Sequence, residues 1–191
     1  MAYAFTRLSA RGRDYGAAAQ ALQHRGVKPA GLWGAFHGLF GVASNELIVV
    51  SYGDVDHVHD VIAGMDEVVA ANTLLLEPTV RPTQYAPRTR EGLYVFRFFE
   101  VDHKDVDEIA ALSFEAWKTF ENVDDYQAEP QGLFRQQDTT AATGRMLLCT
   151  WYDGLNSWQA SRTPPATARE NFRQRHALTK GTLAYATRLL T

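Results

Sequence analysis

Five residues concentrate the chemistry that this chain offers: Arg97, Phe99, Tyr52, Tyr152 and Glu46. Arg97 stands inside Tyr94-Val95-Phe96-Arg97-Phe98-Phe99, so a guanidinium sits in the middle of an aromatic, β-branched run. Its five donors form a rigid fork that suits a carboxylate or a carbonyl, and the group cannot shed its charge. Burying that charge unpaired is expensive, which favours a wet cavity over a helix-covered core. Strand alternation puts Arg97 on the face of Val95 and Phe99. Tyr52 and Tyr152 close comparable strands and could add hydroxyl donors, and Glu46, on the face of Tyr52, is a candidate counter-charge. Two uses of Arg97 stand open. It anchors an anion or carbonyl within an aromatic wall, or it forms an Arg97–Glu pair that serves structure alone.

Other reactive residue types carry less. Asp54–Asp60 reads Asp-Val-Asp-His-Val-His-Asp, the densest patch of possible ligands. Val55, Val58 and Ile62 demand a helix there, and a helix points His57 and His59 to different sides, so no metal site is expected. Acids at a helix N-terminus favour the positive end of its dipole. Cys149 lies in the apolar run Met146–Thr150 and reads as a core thiol, since a reactive one needs an electropositive, accessible setting. One cysteine can build neither an internal disulfide nor a cysteine-based zinc site. No dinucleotide fingerprint, P-loop, nucleophile elbow or zinc-protease helix motif is present.

The elements that hold these residues recur. Gly31-Leu32-Trp33 opens a segment ending at Tyr52-Gly53-Asp54, and Gly132-Leu133-Phe134 opens one ending at Tyr152-Asp153-Gly154. Tyr3-Ala4-Phe5 has a counterpart in Tyr94-Val95-Phe96, and Thr73-Leu74-Leu75 in Thr182-Leu183-Ala184. Four landmarks in one order point to a duplication. In the first copy, strands are expected at Tyr3–Leu8, Trp33–Phe40, Glu46–Tyr52 and Thr73–Val80. Helices are expected at Asp14–Arg25, with Gly26 as its stop, and along Val55, Val58, Ile62 and Met65. In the second copy, strands are expected at Leu93–Val101, Leu133–Gln137, Arg145–Tyr152 and Thr182–Leu190. Asp102 should cap a helix whose apolar face is Val106, Ile109, Ala110, Ser113, Trp117 and Phe120. Helical pieces Leu155–Ser161 and Ala166–Leu178 flank Pro164-Pro165, which no continuous helix accepts.

The fold class is therefore α+β: two tandem ferredoxin-like (βαββαβ) repeats, residues 1–82 and 92–191, joined by a proline-marked linker at 83–91. Each repeat leaves one sheet face uncovered, so the two sheets are expected to face each other as an intramolecular dimeric-α/β-barrel-type fold enclosing a pocket.

These landmarks resemble the NIPSNAP family of the dimeric α/β-barrel superfamily. The similar stretches are Gly31–Tyr52 with its Gly41 turn, Leu76–Pro82, Tyr94–Phe99, and Trp151-Tyr152-Asp153-Gly154-Leu155 followed by Arg162. Thr6 stands where the second copy has Arg97, and Asp54 is displaced from the Tyr-Asp pairing, so the halves have diverged. The resemblance implies a binding or interaction protein, with no catalytic motif to carry over. The alternative is a cofactor-independent monooxygenase or isomerase on the same barrel. A haem-binding barrel ranks third, with His37, His103 and His176 as its available histidines.

Composition bounds the rest. The chain has 191 residues, 46% of them hydrophobic and 12% aromatic, enough for a genuine core. Nineteen basic against 22 acidic residues leave a net charge of −3, unlike a general nucleic-acid binder. Residues 145–188 are locally basic, but the ten acids of Glu100–Glu129 are expected to neutralise them across paired helices. The arginines Arg7, Arg11, Arg13 and Arg25 share the bias of a targeting peptide, yet that stretch already has a place in the repeat. No apolar run approaches a membrane span. The expectation is a cytoplasmic protein with a small-molecule ligand, no cofactor, no nucleic-acid or membrane partner, and room for homo-oligomers.

Overall fold

The computed structural model describes residues 1–24 and 31–190. Gly26, expected to stop the first helix, and Arg25 lie outside them. The chain divides into two compact units. Unit 1 takes Met1–Glu77, Gln84–Glu91 and Tyr185–Thr191, and unit 2 takes Pro78–Thr83 and Gly92–Ala184. Two strands therefore change unit partway, and the expected linker at 83–91 is divided, with Thr83 in unit 2 and Gln84–Glu91 in unit 1.

Unit 1 contains β1 (Tyr3–Ala10), α1 (Gly16–His24), β2 (Leu32–Phe40), β3 (Glu46–Tyr52), α2 (Val55–Ala63) and most of β4 (Val68–Arg81). β1 lies antiparallel between β3 and β4, with Tyr3 opposite Tyr52 and Thr6 opposite Thr73. β2 pairs with β3 and with the end of the last strand. Helix α2 starts where expected because the Asp54 carboxylate accepts the His57 backbone N–H at 3.1 Å. Leu8, Leu47, Val49, Val58 and Ile62 pack together in the core under the helices. Hence Ala4, Thr6, Leu8 and Ala10 form the helix-facing side of β1, and Tyr3, Phe5 and Arg7 face the other way. β4 begins five residues before the expected Thr73. Its exposed Ala70, Ala71 and Asn72 carry no strand signal of their own, and pairing with β1 holds them extended.

Unit 2 contains β5 (Leu93–Asp102), α3 (Val106–Phe120), β6 (Ala128–Gln136), β7 (Thr143–Tyr152), α4 (Leu155–Ala160), α5 (Ala166–Ala177) and most of β8 (Thr179–Leu189). Its strands run in the order β8-β5-β7-β6-β4. The expected apolar face of α3 is buried from Val106 to Phe120. The N-terminus of α3 departs from expectation: a 3-10 turn, His103–Asp105, precedes it, and Asp102 makes no cap. The Asp102 carboxylate instead takes the Lys180 ammonium at 2.5 Å, a charged donor that outcompetes a backbone N–H. β6 begins at Ala128 rather than Leu133, with an irregular register between Pro130 and Gly132. Proline there removes one ladder donor, which hides the strand start from a sequence reading. Among the described residues no helix is long and apolar enough to cross a membrane.

Both units repeat one packing detail. A Cβ at Gly34 would stand 2.6 Å from the Phe36 ring, and one at Gly132 would stand 2.5 Å from the Phe134 ring. In each β2-type strand a phenylalanine thus folds back over the glycine two residues before it. Gly34, not Gly31, is the counterpart of Gly132.

Candidate functional site

The corrected register decides which face each candidate serves. Tyr3 is opposite Tyr52, whereas Tyr94 is opposite Trp151. Trp151 is therefore the counterpart of Tyr52, and Tyr152 lies one residue further on. A one-residue offset in a strand turns the side chain to the other face. Tyr152 consequently shares the helix-facing side of β7 with Met146, Leu148 and Thr150, while Tyr52 points away from the helices of unit 1.

The five expected residues fall in both units, Glu46 and Tyr52 in unit 1 and Arg97, Phe99 and Tyr152 in unit 2. In unit 1, Glu46 is ion-paired to Arg7 at 2.5 Å. Burial alone would raise the Glu46 carboxyl, but the Arg7 hydrogen bond, the Ala43 N–H and the Arg7 charge outweigh it and hold the carboxyl below its ordinary value. Arg7 also donates to the Tyr185 hydroxyl at 3.2 Å. Tyr52 stacks on Tyr85, with ring centroids 4.9 Å apart. In unit 2, Arg97 and Tyr152 line one pocket, and Phe99 lies in the packed core beside it.

That pocket encloses about 390 Å³ between the sheet of unit 2 and its own helices. In the sequence Arg97 suits a cavity between the two sheets, because a charge fits a wet cavity better than a helix-covered core. The structure places it on the helix-covered face of unit 2. Here the covered face is open because the helical cover is broken. Pro164-Pro165 separates α4 from α5, and Ser161, Arg162 and Pro164 from that break form part of the wall. The floor is β-sheet, from Val95, Arg97, Leu148, Thr150 and Tyr152. Trp117 and Phe120 of α3 and Phe172 of α5 supply aromatic walls.

The electrostatics are one-sided. Arg97, Arg162, Arg169, Arg173 and Arg175 all line the pocket, and no aspartate or glutamate does. Arg173 is satisfied on its own helix by Glu170 at 2.7 Å, and Arg169 donates to the Pro164 carbonyl at 3.2 Å. Arg162 donates to the Tyr152 hydroxyl at 3.3 Å and the Ser161 hydroxyl at 3.0 Å. Arg175 is 8% exposed. Its guanidinium touches neutral groups: the Ser113 hydroxyl at 3.3 Å and the faces of Phe99 and Phe172 at 4.9 and 4.6 Å. Burial and the neighbouring charge of Arg97 pull Arg175 down to about 10. Half-buried Arg97 makes no hydrogen bond or ion pair among the described residues. Burial, then the charge of Arg162, lowers it, with Tyr152 opposing. Beside the pocket the Tyr126 hydroxyl is buried without a partner, and burial pushes its phenol up to about 12.

The basic residues of α5 were expected to neutralise the acids of α3. Among the described residues no ion pair joins the two helices. Arg175 lies on the stripe Ala168, Phe172, Arg175, so helical period turns it inward, away from the acidic outer face of α3. That spacing was the available signal for the charge that sequence reading missed.

Thr6, the counterpart of Arg97, lies on the same helix-facing side in unit 1 and is buried. Its hydroxyl is 2.9 Å from that of Thr73, so the first repeat closes with a neutral pair where the second keeps a bare guanidinium.

The histidines offer little for a haem. His37 stacks on Tyr15 at 5.2 Å between centroids, and the His103 ring packs on Gly144. His176 alone reaches the pocket, at its exposed rim, with Nδ1 3.5 Å from the Thr179 hydroxyl. Among the described residues no buried histidine lines this pocket. Asp54–Asp60 caps and fills helix α2, and no cluster of three potential metal ligands occurs among the described residues. Cys149 is fully buried in β7.

Comparison with solved structures defines the class. The chain is similar over its whole length to an anthrone oxidase-like protein (TM-score 0.68, 8% identity, 91% of that chain covered). It is likewise similar over its whole length to a proposed monooxygenase from Fusobacterium nucleatum (0.67, 11%, 92%). A chlorite dismutase variant from Candidatus Nitrospira defluvii is also similar over the whole chain (0.63, 8%, 91%). The fold is that of the ferredoxin-like dimeric α/β-barrel proteins, with two βαββαβ repeats in one chain. No family model and no curated protein matches the sequence.

Proposed function

We propose that the second repeat binds a small organic molecule carrying an anionic group, with Arg97 as its anchor and Tyr152 beside it. The observation that carries this reading is the pocket wall, which gathers five arginines and no carboxylate around an aromatic cavity. An unpartnered guanidinium at the floor costs stability unless an anion completes it. Position 6 of the first repeat supports the same reading, because the fold there is served by threonine. Within the superfamily, NIPSNAP membership is the finer assignment, supported by the motifs of the two repeats. A cytoplasmic setting fits the single buried thiol, which a reducing compartment leaves as it is.

The test is thermal stabilisation of the full chain by benzoate against its neutral isostere benzamide. Benzoate should raise the melting temperature, benzamide should not, and Arg97→Met should lose the response. Equal shifts with both compounds, or a benzoate response that survives Arg97→Met, would overturn the reading. A second reading, cofactor-independent oxygenase or isomerase chemistry, rests on the oxidase-like and monooxygenase descriptions of the similar structures. Oxygen consumption with a panel of aromatic acids, absent in Arg97→Met, would support it.

A further inference from the structure

Resting on the anion-binding reading, we infer that the ligand presents two negative charges on one compact head, joined to a flat apolar body. Two guanidiniums that are turned away from solvent, not one, lack an acidic partner among the described residues, whereas Arg162 and Arg169 are exposed and Arg173 is paired with Glu170. Arg97 on the sheet makes no hydrogen bond or ion pair among the described residues, and Arg175 on α5 touches a serine hydroxyl and two ring faces. Both line the same pocket, Arg175 lies 4.9 Å over the ring of Phe99, the next residue on the strand face of Arg97, and the charge of Arg97 disfavours that of Arg175. Arg162 closes the group at the rim, and it too disfavours Arg97. A monoanion would offset one of these charges and leave its neighbour desolvated and uncompensated. A doubly charged head, such as a phosphate monoester or two adjacent carboxylates, matches the pair, and guanidiniums bind such oxygens in a fork.

The body follows from the rest of the wall. Trp117, Phe120 and Phe172 offer ring surfaces on the helix side, and Val95 and Leu148 offer aliphatic surface on the sheet side. That slot takes a planar, apolar ring better than a sugar, whose hydroxyls would find few partners there. Arg162 and Arg169 lie exposed near the proline break, so an anionic head enters along a basic rim before reaching Arg97 and Arg175.

The experiment is titration calorimetry on the full chain at pH 8 with four probes: phenyl phosphate, methyl phenyl phosphate, phthalate and benzoate. Phenyl phosphate is a dianion at that pH, and its methyl ester is a monoanion of nearly the same shape. At least one dianion should bind tenfold or more tightly than its monoanionic analogue, and whichever does so identifies the head as phosphate or dicarboxylate. In Arg175→Met and Arg97→Met, each checked for native circular dichroism, that preference should fall below threefold. Monoanions binding as tightly as dianions would overturn the two-charge inference and leave the anion-binding reading standing. No binding by any of the four would remove both. The comparison among probes is made on the wild-type chain, so a misfolded variant cannot hide the outcome.

Discussion

Replacing Arg97 by methionine should stabilise the empty protein. Methionine keeps the length and most of the apolar stem of arginine while removing the charge. The wild-type guanidinium is half-buried, makes no hydrogen bond among the described residues, and is disfavoured by burial and by Arg162. Exchanging buried charged groups for apolar ones of similar volume stabilises other proteins by roughly 1–4 kcal/mol. The partial exposure of Arg97 discounts that range, so about 1 kcal/mol is expected here. For a chain of this size the melting temperature should rise by roughly 2–4 °C. Binding reverses the order. With phenyl phosphate at a hundredfold excess over its dissociation constant, the wild type gains about 2.7 kcal/mol, and the variant gains little. Melting curves of both proteins, with and without the probe, should therefore cross. The reasoning is refuted if the empty variant is destabilised by more than about 1 kcal/mol while its response to the probe is unchanged. That outcome would make Arg97 a structural residue.

Three further substitutions test the surroundings. Glu46→Gln should cost about 1 kcal/mol at pH 7, since it weakens an ion pair whose arginine is a third exposed. The Glu46 carboxyl is depressed in the folded state, so this contribution is present above the unfolded carboxylate range and lost as pH falls below that range through the lower folded-state value; urea unfolding at pH 7 and at roughly pH 3 should show the difference shrinking. Gly132→Ala should destabilise by roughly 2 kcal/mol, because the new Cβ would meet the buried Phe134 ring at 2.5 Å, and unchanged denaturant midpoints would contradict the packing described. Tyr126→Phe removes a hydroxyl that is buried without a partner, so stability should hold or rise by up to about 1 kcal/mol, and a loss above 1 kcal/mol would reveal a partner for it.

Much of the architecture was legible because it rests on period. Alternation in Tyr94–Phe99, the α3 stripe from Val106 to Phe120 and the Pro164-Pro165 break each imposed one reading, and the duplication ordered them. The site was less legible. Tyr52 and Tyr152 look equivalent in sequence, since both precede a glycine- and aspartate-containing turn, but the strand register makes Trp151 the counterpart of Tyr52. One residue of offset sent Tyr152 into the pocket and left Tyr52 and Glu46 on the opposite face of the other repeat. Arg97 was found by its type and place, yet its surroundings were not, because strand alternation names a face without saying which face the helices cover. Arg175 shares a helical stripe with Ala168 and Phe172, but a charge in a basic run reads first as solvated surface. Packing against Ser113 and Phe99 shows that this stripe is the inward one.

A crystal structure of the full chain grown with phenyl phosphate addresses the central claim most directly. The phosphate should lie within hydrogen-bonding distance, roughly 3 Å, of both Arg97 and Arg175, with the ring against Trp117 and Phe172. A pocket filled only by water at saturating probe, or Arg97 turned onto a carboxylate of the protein itself, would contradict it.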